Sequence, residues 1–149
     1  MRDPLAYHIT WSTYGAWLPG DARGWVADGE SAEGDAERWL KAREQMKGAP
    51  VALTLPQRRI VQETVEKHCA VRGWCLHAVN ARTKHVHAVI TIPVSVAGAT
   101  ARDQFKAWCT RNLNNACGRK DWWAVGGTAK PIYDDSYLQN AIQYVLEGQ

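Results

Sequence analysis

No run of apolar residues in this 149-residue chain approaches the roughly 20 needed to cross a bilayer. The opening residues, Met1-Arg2-Asp3-Pro4, lack the apolar core of a secretion signal. Neither a membrane partner nor export is therefore expected, and the reading is cytoplasmic. Cys69, Cys75, Cys109 and Cys117 are the only cysteines, and their spacings match no zinc finger or ribbon. In a reducing compartment they are expected as small, buried, inert thiols. Internal repeats and low-complexity tracts are also missing. Net charge is small: eighteen Lys and Arg against fifteen Asp and Glu give +3, which is compatible with nucleic acid without demanding it.

What remains is an ordinary globular composition, 46% hydrophobic and 22% charged. It fits a single domain over residues 1–149 with a core of conventional size. Eight tryptophans are many for this length. Most are needed inside, but indole is also the best platform for stacking unpaired bases. Trp17 and Trp25 fall in an irregular, turn-rich insertion at about 15–50 and are the candidates for that role.

Tyr7 to Ser12 alternates and is rich in strand formers, so it reads as a first strand. Within the insertion, residues 35–47 could form a short amphipathic helix. Thr54 is a plausible cap for a helix to about Arg72 that buries Ile60, Val61, Val65 and Cys69, with Gly73 ending it. Trp74 to Arg82 and Lys84 to Ile92 form a hairpin of two further strands, which Pro93 ends. A helix from about Thr100 to Ala116 carries Phe105, Trp108, Cys109, Leu113 and Ala116 on one side, with Arg102 and Lys106 on a shared outward face. A fourth strand is expected at Trp122–Val125, broken by Gly126-Gly127. A final helix, capped by Asp134 or Asp135, buries Leu138, Ala141, Ile142 and Val145. The order β-α-β-β-α-β plus a helix predicts an α+β fold. It is a split-βαβ (ferredoxin- or RRM-like) antiparallel sheet with helices on one face and a tyrosine-bearing C-terminal helix.

The chemistry gathers in two places. In an extended strand residues two apart share a face, so His85 and His87 project together while Val86, Ala88 and Ile90 point the other way. Two imidazoles on a rigid strand make half of a metal site. Tyr144, on the last helix, offers a nucleophile for whatever a metal polarises. Tyr137, seven residues earlier on roughly the same helix face, is its main rival, and Tyr133 is a weaker one. His8 and His77 lie on neighbouring strands and could join a site, but read first as hydrogen-bonded sheet histidines. Arg82, Lys84, Arg102, Lys106, Arg111, Arg119 and Lys120 are candidate phosphate contacts.

His85-Val86-His87 followed by a helix ending Tyr144-Val145-Leu146-Glu147-Gly148-Gln149 resembles the HUH single-tyrosine transposases, including the REP-associated tyrosine transposases. Thr10 to Asp21 is similar to the N-terminus of one subgroup. The resemblance spans essentially the whole chain. It implies Mg²⁺ or Mn²⁺ held by His85, His87 and a third ligand near the tyrosine, with no nucleotide cofactor. The position four after the tyrosine is Gly148 here, which leaves Gln149 or Glu147 as that ligand. Also implied are recognition of hairpin DNA, nicking and transfer of single-stranded DNA through a 5′-phosphotyrosine, and a homodimer. Two other functions are compatible with the residues. One is a non-catalytic single-strand binding module with an RRM-like sheet, although the third strand carries histidines where such modules carry aromatics. The other is a small zinc hydrolase, although no carboxylate lies near the His pair in sequence to act as general base.

Overall fold

The computed structural model describes residues 2–16, 25–27, 30–32, 36–44 and 49–147. Strand β1 (Ala6–Ser12) is followed by a two-stranded antiparallel ribbon, β2 (Trp25–Ala27) and β3 (Glu30–Ala32), and by a short helix α1 (Ala36–Glu44). These occupy the turn-rich insertion. Helix α2 (Leu55–Arg72) starts at Thr54 through a reciprocal cap. The Thr54 hydroxyl accepts from the Gln57 amide (3.3 Å), and the Gln57 side chain accepts from the Thr54 amide (2.9 Å). It ends at Gly73, whose φ of 72° is the left-handed stop that glycine makes cheap.

The hairpin β4 (Cys75–Ala81) and β5 (His85–Thr91), helix α3 (Gly98–Cys117), edge strand β6 (Thr128–Ile132) and helix α4 (Asp135–Glu147) complete the chain. The four-stranded sheet has the order β4-β5-β1-β6, with every neighbour antiparallel. That is the split-βαβ arrangement expected from the order of elements.

Each strand is two-faced, and the two faces divide the molecule. Ile9, Trp11, Val86, Ala88 and Ile90 pack beneath α2 and α3 against Val61, Val65, Cys69, Phe105, Cys109 and Leu113. The opposite face carries Ala6, Ala78, Val89 and Ile132, and α4 covers that half with Leu138, Ala141 and Val145. Residues 76–78 hold a bulge in β4. One extra residue, His77, reverses the alternation, so Ala78 and Asn80 face α4. There the Asn80 side-chain amide donates to the Val145 carbonyl (2.8 Å) and pins the end of the helix to the sheet.

The fourth strand lies later than expected. Residues 122–125 are held by their indoles instead: Trp122 is buried and donates to Asn114 Oδ1 (2.8 Å), and Trp123 forms a lone bridge with Thr13 and donates to the Lys106 carbonyl. The two glycines lead into β6 rather than ending it. β6 tolerates Pro131 because an edge strand has one side with no ladder to complete.

On α3 the buried stripe runs Ala101, Phe105, Cys109, Leu113 at four-residue spacing. Trp108, at its margin, is 42% exposed with the Arg111 guanidinium over its ring, and Ala116 is exposed in the last turn. Cys69 and Cys109 are buried, as expected of inert thiols, and burial raises the Cys69 thiol to about 12. Cys75 and Cys117 are exposed, because each sits at the terminus of its element, beyond the packed layers. Trp11, Trp74 and Trp122 are core residues. Trp17 lies outside the described residues, as does the side chain of Trp25.

Candidate active site

The sheet face beneath α4 carries the histidines. Register places Thr10 opposite both His87 and Thr128, Ser12 opposite His85, and His8 opposite Lys130. His85 and His87, two apart on β5, lie with ring centroids 4.6 Å apart. His8, which the sequence offered together with His77 as a residue able to join the site, does so from β1. Its Nε2 and His87 Nδ1 share a hydrogen bond at 3.2 Å, one ring donating and the other accepting according to tautomer, and the rings stack at 5.5 Å. The Tyr144 ring stands edge-on to His87 at 5.6 Å and to His8 at 6.0 Å. The helix that presents it is held by the Leu138, Ala141, Val145 stripe and by the Asn80 clamp. Tyr144 is itself half exposed, so its hydroxyl is open to a substrate.

All three imidazoles are biased towards the neutral form. Burial pushes His87 down to about 4, helped by the neighbouring His85, His8 and Arg82. Burial and then Arg82 lower His85, and burial and then Lys130 lower His8. Neutral imidazole is the form that ligates a metal. His77, by contrast, is bonded to the Thr91 hydroxyl (2.7 Å) at the far end of the sheet, as expected of a sheet histidine.

Two clefts flank the histidine pair. One, of about 480 Å³, is lined by His8, His87, Lys130, Tyr137, Asn140 and Tyr144, with Thr10 and Thr128 at its floor. The other, of about 450 Å³, is lined by Arg58, Arg82, Thr83, Lys84 and His85. The turn that carries Arg82 and Lys84 is tied down by backbone bonds. The amide of Arg82 donates to the His85 carbonyl, that of Leu53 to the Thr83 carbonyl, and that of Thr13 to the Lys84 carbonyl. Arg58 Nε donates to the Ala81 carbonyl at 2.7 Å. The second cleft is therefore a fixed cationic trough with no acidic lining among the described residues.

The other candidate cations are spent differently. Arg102 and Lys106 do share one face of α3, but the face is not outward. Lys106 Nζ donates to the carbonyls of Ala124 (3.0 Å) and Gly126 (2.9 Å), and Arg102 donates to the Gly127 carbonyl (3.1 Å) and pairs with Asp103. Together they clamp the loop that starts β6. Arg111 and Lys120 lie over the rings of Trp108 and Trp122. Arg119 is exposed just past α3. Tyr133 carries the Arg2 guanidinium 5.0 Å over its ring.

Of the two residues expected as a third ligand, Gln149 lies outside the described residues. Glu147 is exposed on the last turn of α4 and accepts from the Gln143 amide (3.2 Å). Among the described residues no three His, Cys, Asp or Glu side chains converge on one point as a metal cage. His85 and His87, neutral and side by side, still fit two positions of a nitrogen and oxygen shell.

No protein-family model and no curated protein matches the chain. Solved structures do. A REP-associated tyrosine transposase bound to a REP hairpin superposes with a TM-score of 0.56 at 12% identity, over 97% of this chain. This chain spans 66% of that one. A candidate transposase from Deinococcus radiodurans R1 superposes with a TM-score of 0.52 at 12% identity, over 99% of this chain and 92% of that one. The chain has the fold of these transposases.

Proposed function

We propose that this chain is an HUH single-tyrosine transposase that nicks and rejoins single-stranded DNA beside a hairpin. The observation that carries this reading is the edge-on contact of Tyr144 with His87 in one open cleft. A tyrosine hydroxyl is thereby placed at the rim of a pair of neutral imidazoles. In the reaction, Tyr144 Oη attacks a backbone phosphorus, the bond from phosphorus to the 3′-oxygen breaks, and a 5′-phosphotyrosine forms. The phenol proton is lost to solvent, and the departing 3′-oxygen takes one up. The bond energy stays in the phosphotyrosine linkage, so rejoining requires no nucleotide cofactor.

Phosphoryl transfer is catalysed by alignment and by neutralising charge on the non-bridging oxygens. His85 and His87 would hold a Mg²⁺ or Mn²⁺ ion, with Gln149 or Glu147 as a further oxygen ligand. Such an ion supplies positive charge at the phosphate. Arg58, Arg82 and Lys84 would bind the adjoining backbone. Tyr144 packs against the histidines of its own chain, so the site needs no second copy to bring nucleophile and imidazoles together; a homodimer remains part of the proposal through the family resemblance. A sheet-face RNA reader is disfavoured, because α4 covers half of the surface such a reader uses.

Replacing His85 or His87 with alanine is expected to abolish nicking of a labelled hairpin oligonucleotide in Mn²⁺ while leaving the melting curve two-state. Nicking by the double variant in EDTA would refute the metal site. The cations should separate into two groups. Arg82→Ala and Lys84→Ala should each flatten the dependence of DNA affinity on salt by roughly 0.7 in log–log slope, the single-strand value per phosphate. Arg102→Ala and Lys106→Ala should instead lower stability by about 1.5–3 kcal/mol, the usual value of bonds from charged donors. Salt titrations and denaturant melts of the four variants distinguish the groups.

A further inference from the structure

We propose that the cleft beside Tyr144 is a single-nucleotide subsite that holds one unpaired nucleotide of the cut strand next to the scissile phosphate. This rests on the reading of the chain as a DNA-nicking enzyme and adds a base-recognition element to it. The cleft's volume of about 480 Å³ lies within the range of small-ligand sites. One end is formed by Tyr144 and His87, the groups assigned to the reaction. The other is formed by Tyr137, two helical turns earlier on the same face of α4, roughly 10 Å away along the axis. That distance removes Tyr137 from the chemistry and leaves room for a nucleotide between the two rings.

The lining has the three chemistries a nucleotide presents. Lys130 lies across the sheet from His8, and its ammonium has no carboxylate partner among the described residues; it suits a phosphate. The Tyr137 ring is half exposed, with its helix fixed beneath it by the Asp134 cap, whose carboxylate accepts from the Tyr137 amide (2.8 Å). An aromatic ring held in this way is a stacking surface that any base can use. Asn140 stands one turn along the helix between the two tyrosines. Its side-chain amide has no hydrogen-bond partner among the described residues, and it carries both a donor and an acceptor for a base edge. Thr10 and Thr128 bond each other at 2.6 Å across the floor, one hydroxyl donating and the other accepting. Among the described residues no acidic side chain lines the cleft, so an anionic ligand meets no like charge from them.

The test uses the full chain in EDTA and a fluorescent hairpin carrying a short single-stranded flank, chosen from a random-flank library by covalent trapping on the wild-type protein. Flank nucleotides are then made abasic one at a time and affinities measured by anisotropy. One position next to the cut should lose about tenfold when abasic. Tyr137→Ala should show the same loss with the intact flank and no further loss with the abasic one, and Tyr137→Phe should restore the abasic penalty. Asn140→Ala should flatten the preference among bases at that position, and Lys130→Gln should reduce the salt slope by roughly 0.7. All three side chains are exposed, so thermal melts should match the wild type. Free nucleoside 5′-monophosphates should compete only weakly; tight competition would make the cleft a site for a free nucleotide and overturn the proposal. An abasic penalty spread evenly along the flank and unchanged by Tyr137→Ala would also overturn it, while adduct formation left the nicking reading standing. If the library yields no adduct with the wild type, the nicking reading fails and the subsite with it.

Discussion

Replacing Tyr144 with phenylalanine is expected to give a folded protein that binds hairpin DNA and forms no covalent adduct. The hydroxyl is the only group removed. Tyr144 is half exposed, and no hydrogen bond to its hydroxyl contributes to the fold among the described residues. The ring keeps its edge contacts with His8 and His87. A tyrosine that merely packs over the sheet would show at most about 1 kcal/mol of lost stability and no chemical defect. The measurement is a denaturing gel of protein incubated with labelled single-stranded hairpin and Mn²⁺, next to an anisotropy titration of the same variant. Persistence of an adduct in Tyr144→Phe would move the nucleophile elsewhere, Tyr137 first.

The second large effect is expected at Gly127. Its φ of 132° lies where side chains are rarely tolerated, and an added Cβ would run into the Thr10 carbonyl while meeting Arg102 Cδ at 3.0 Å and Trp11 Cβ at 3.1 Å. The obstruction is backbone and core, so relief requires the loop to part from β1. Gly127→Ala should cost about 3 kcal/mol or more through strain and displaced packing, lowering the melting temperature by roughly 6–12 °C in a domain of this size. Gly126→Ala is the control. Its φ of 83° is also positive, but nothing stands within 4 Å of the added carbon, so only the conformational strain of about 1 kcal/mol remains. Equal melting curves for the two variants would mean that the loop does not seat against β1 as described.

The parts of this molecule that depend on local pattern were readable from the sequence. Thr54 and Gly73 bound α2, and the alternation around His85 assigned both faces of β5 correctly. The Leu138, Ala141, Val145 stripe located the side of α4 that packs. Features that depend on distant partners were not readable. His8 has the same local signature as His77, a histidine in an apolar strand. Only the pairing of β1 with β5 brings His8 to His87, while the bulge sends His77 towards Thr91. Arg102 and Lys106 looked like solvated cations because the carbonyls they bind lie 18–25 residues away in an irregular loop. β6 was misplaced because Thr-Ala-Lys-Pro-Ile has little strand character of its own; its conformation is imposed by pairing with β1 at the sheet's edge.

The central position of β1 also bears on when the site comes into being. The bond between His8 and His87 joins residues 79 apart, and that between Thr10 and Thr128 joins residues 118 apart. Closing such separations costs chain entropy before any contact compensates for it, so pairs of this kind form late and slowly. The hairpin that carries His85 and His87 is local and can form early, but its third imidazole and the floor of the cleft await insertion of the chain's first strand between β5 and β6. A partly folded chain would thus hold the histidine pair without the groups that surround it. The appearance of the finished cleft during refolding should coincide with the slowest folding phase, not precede it.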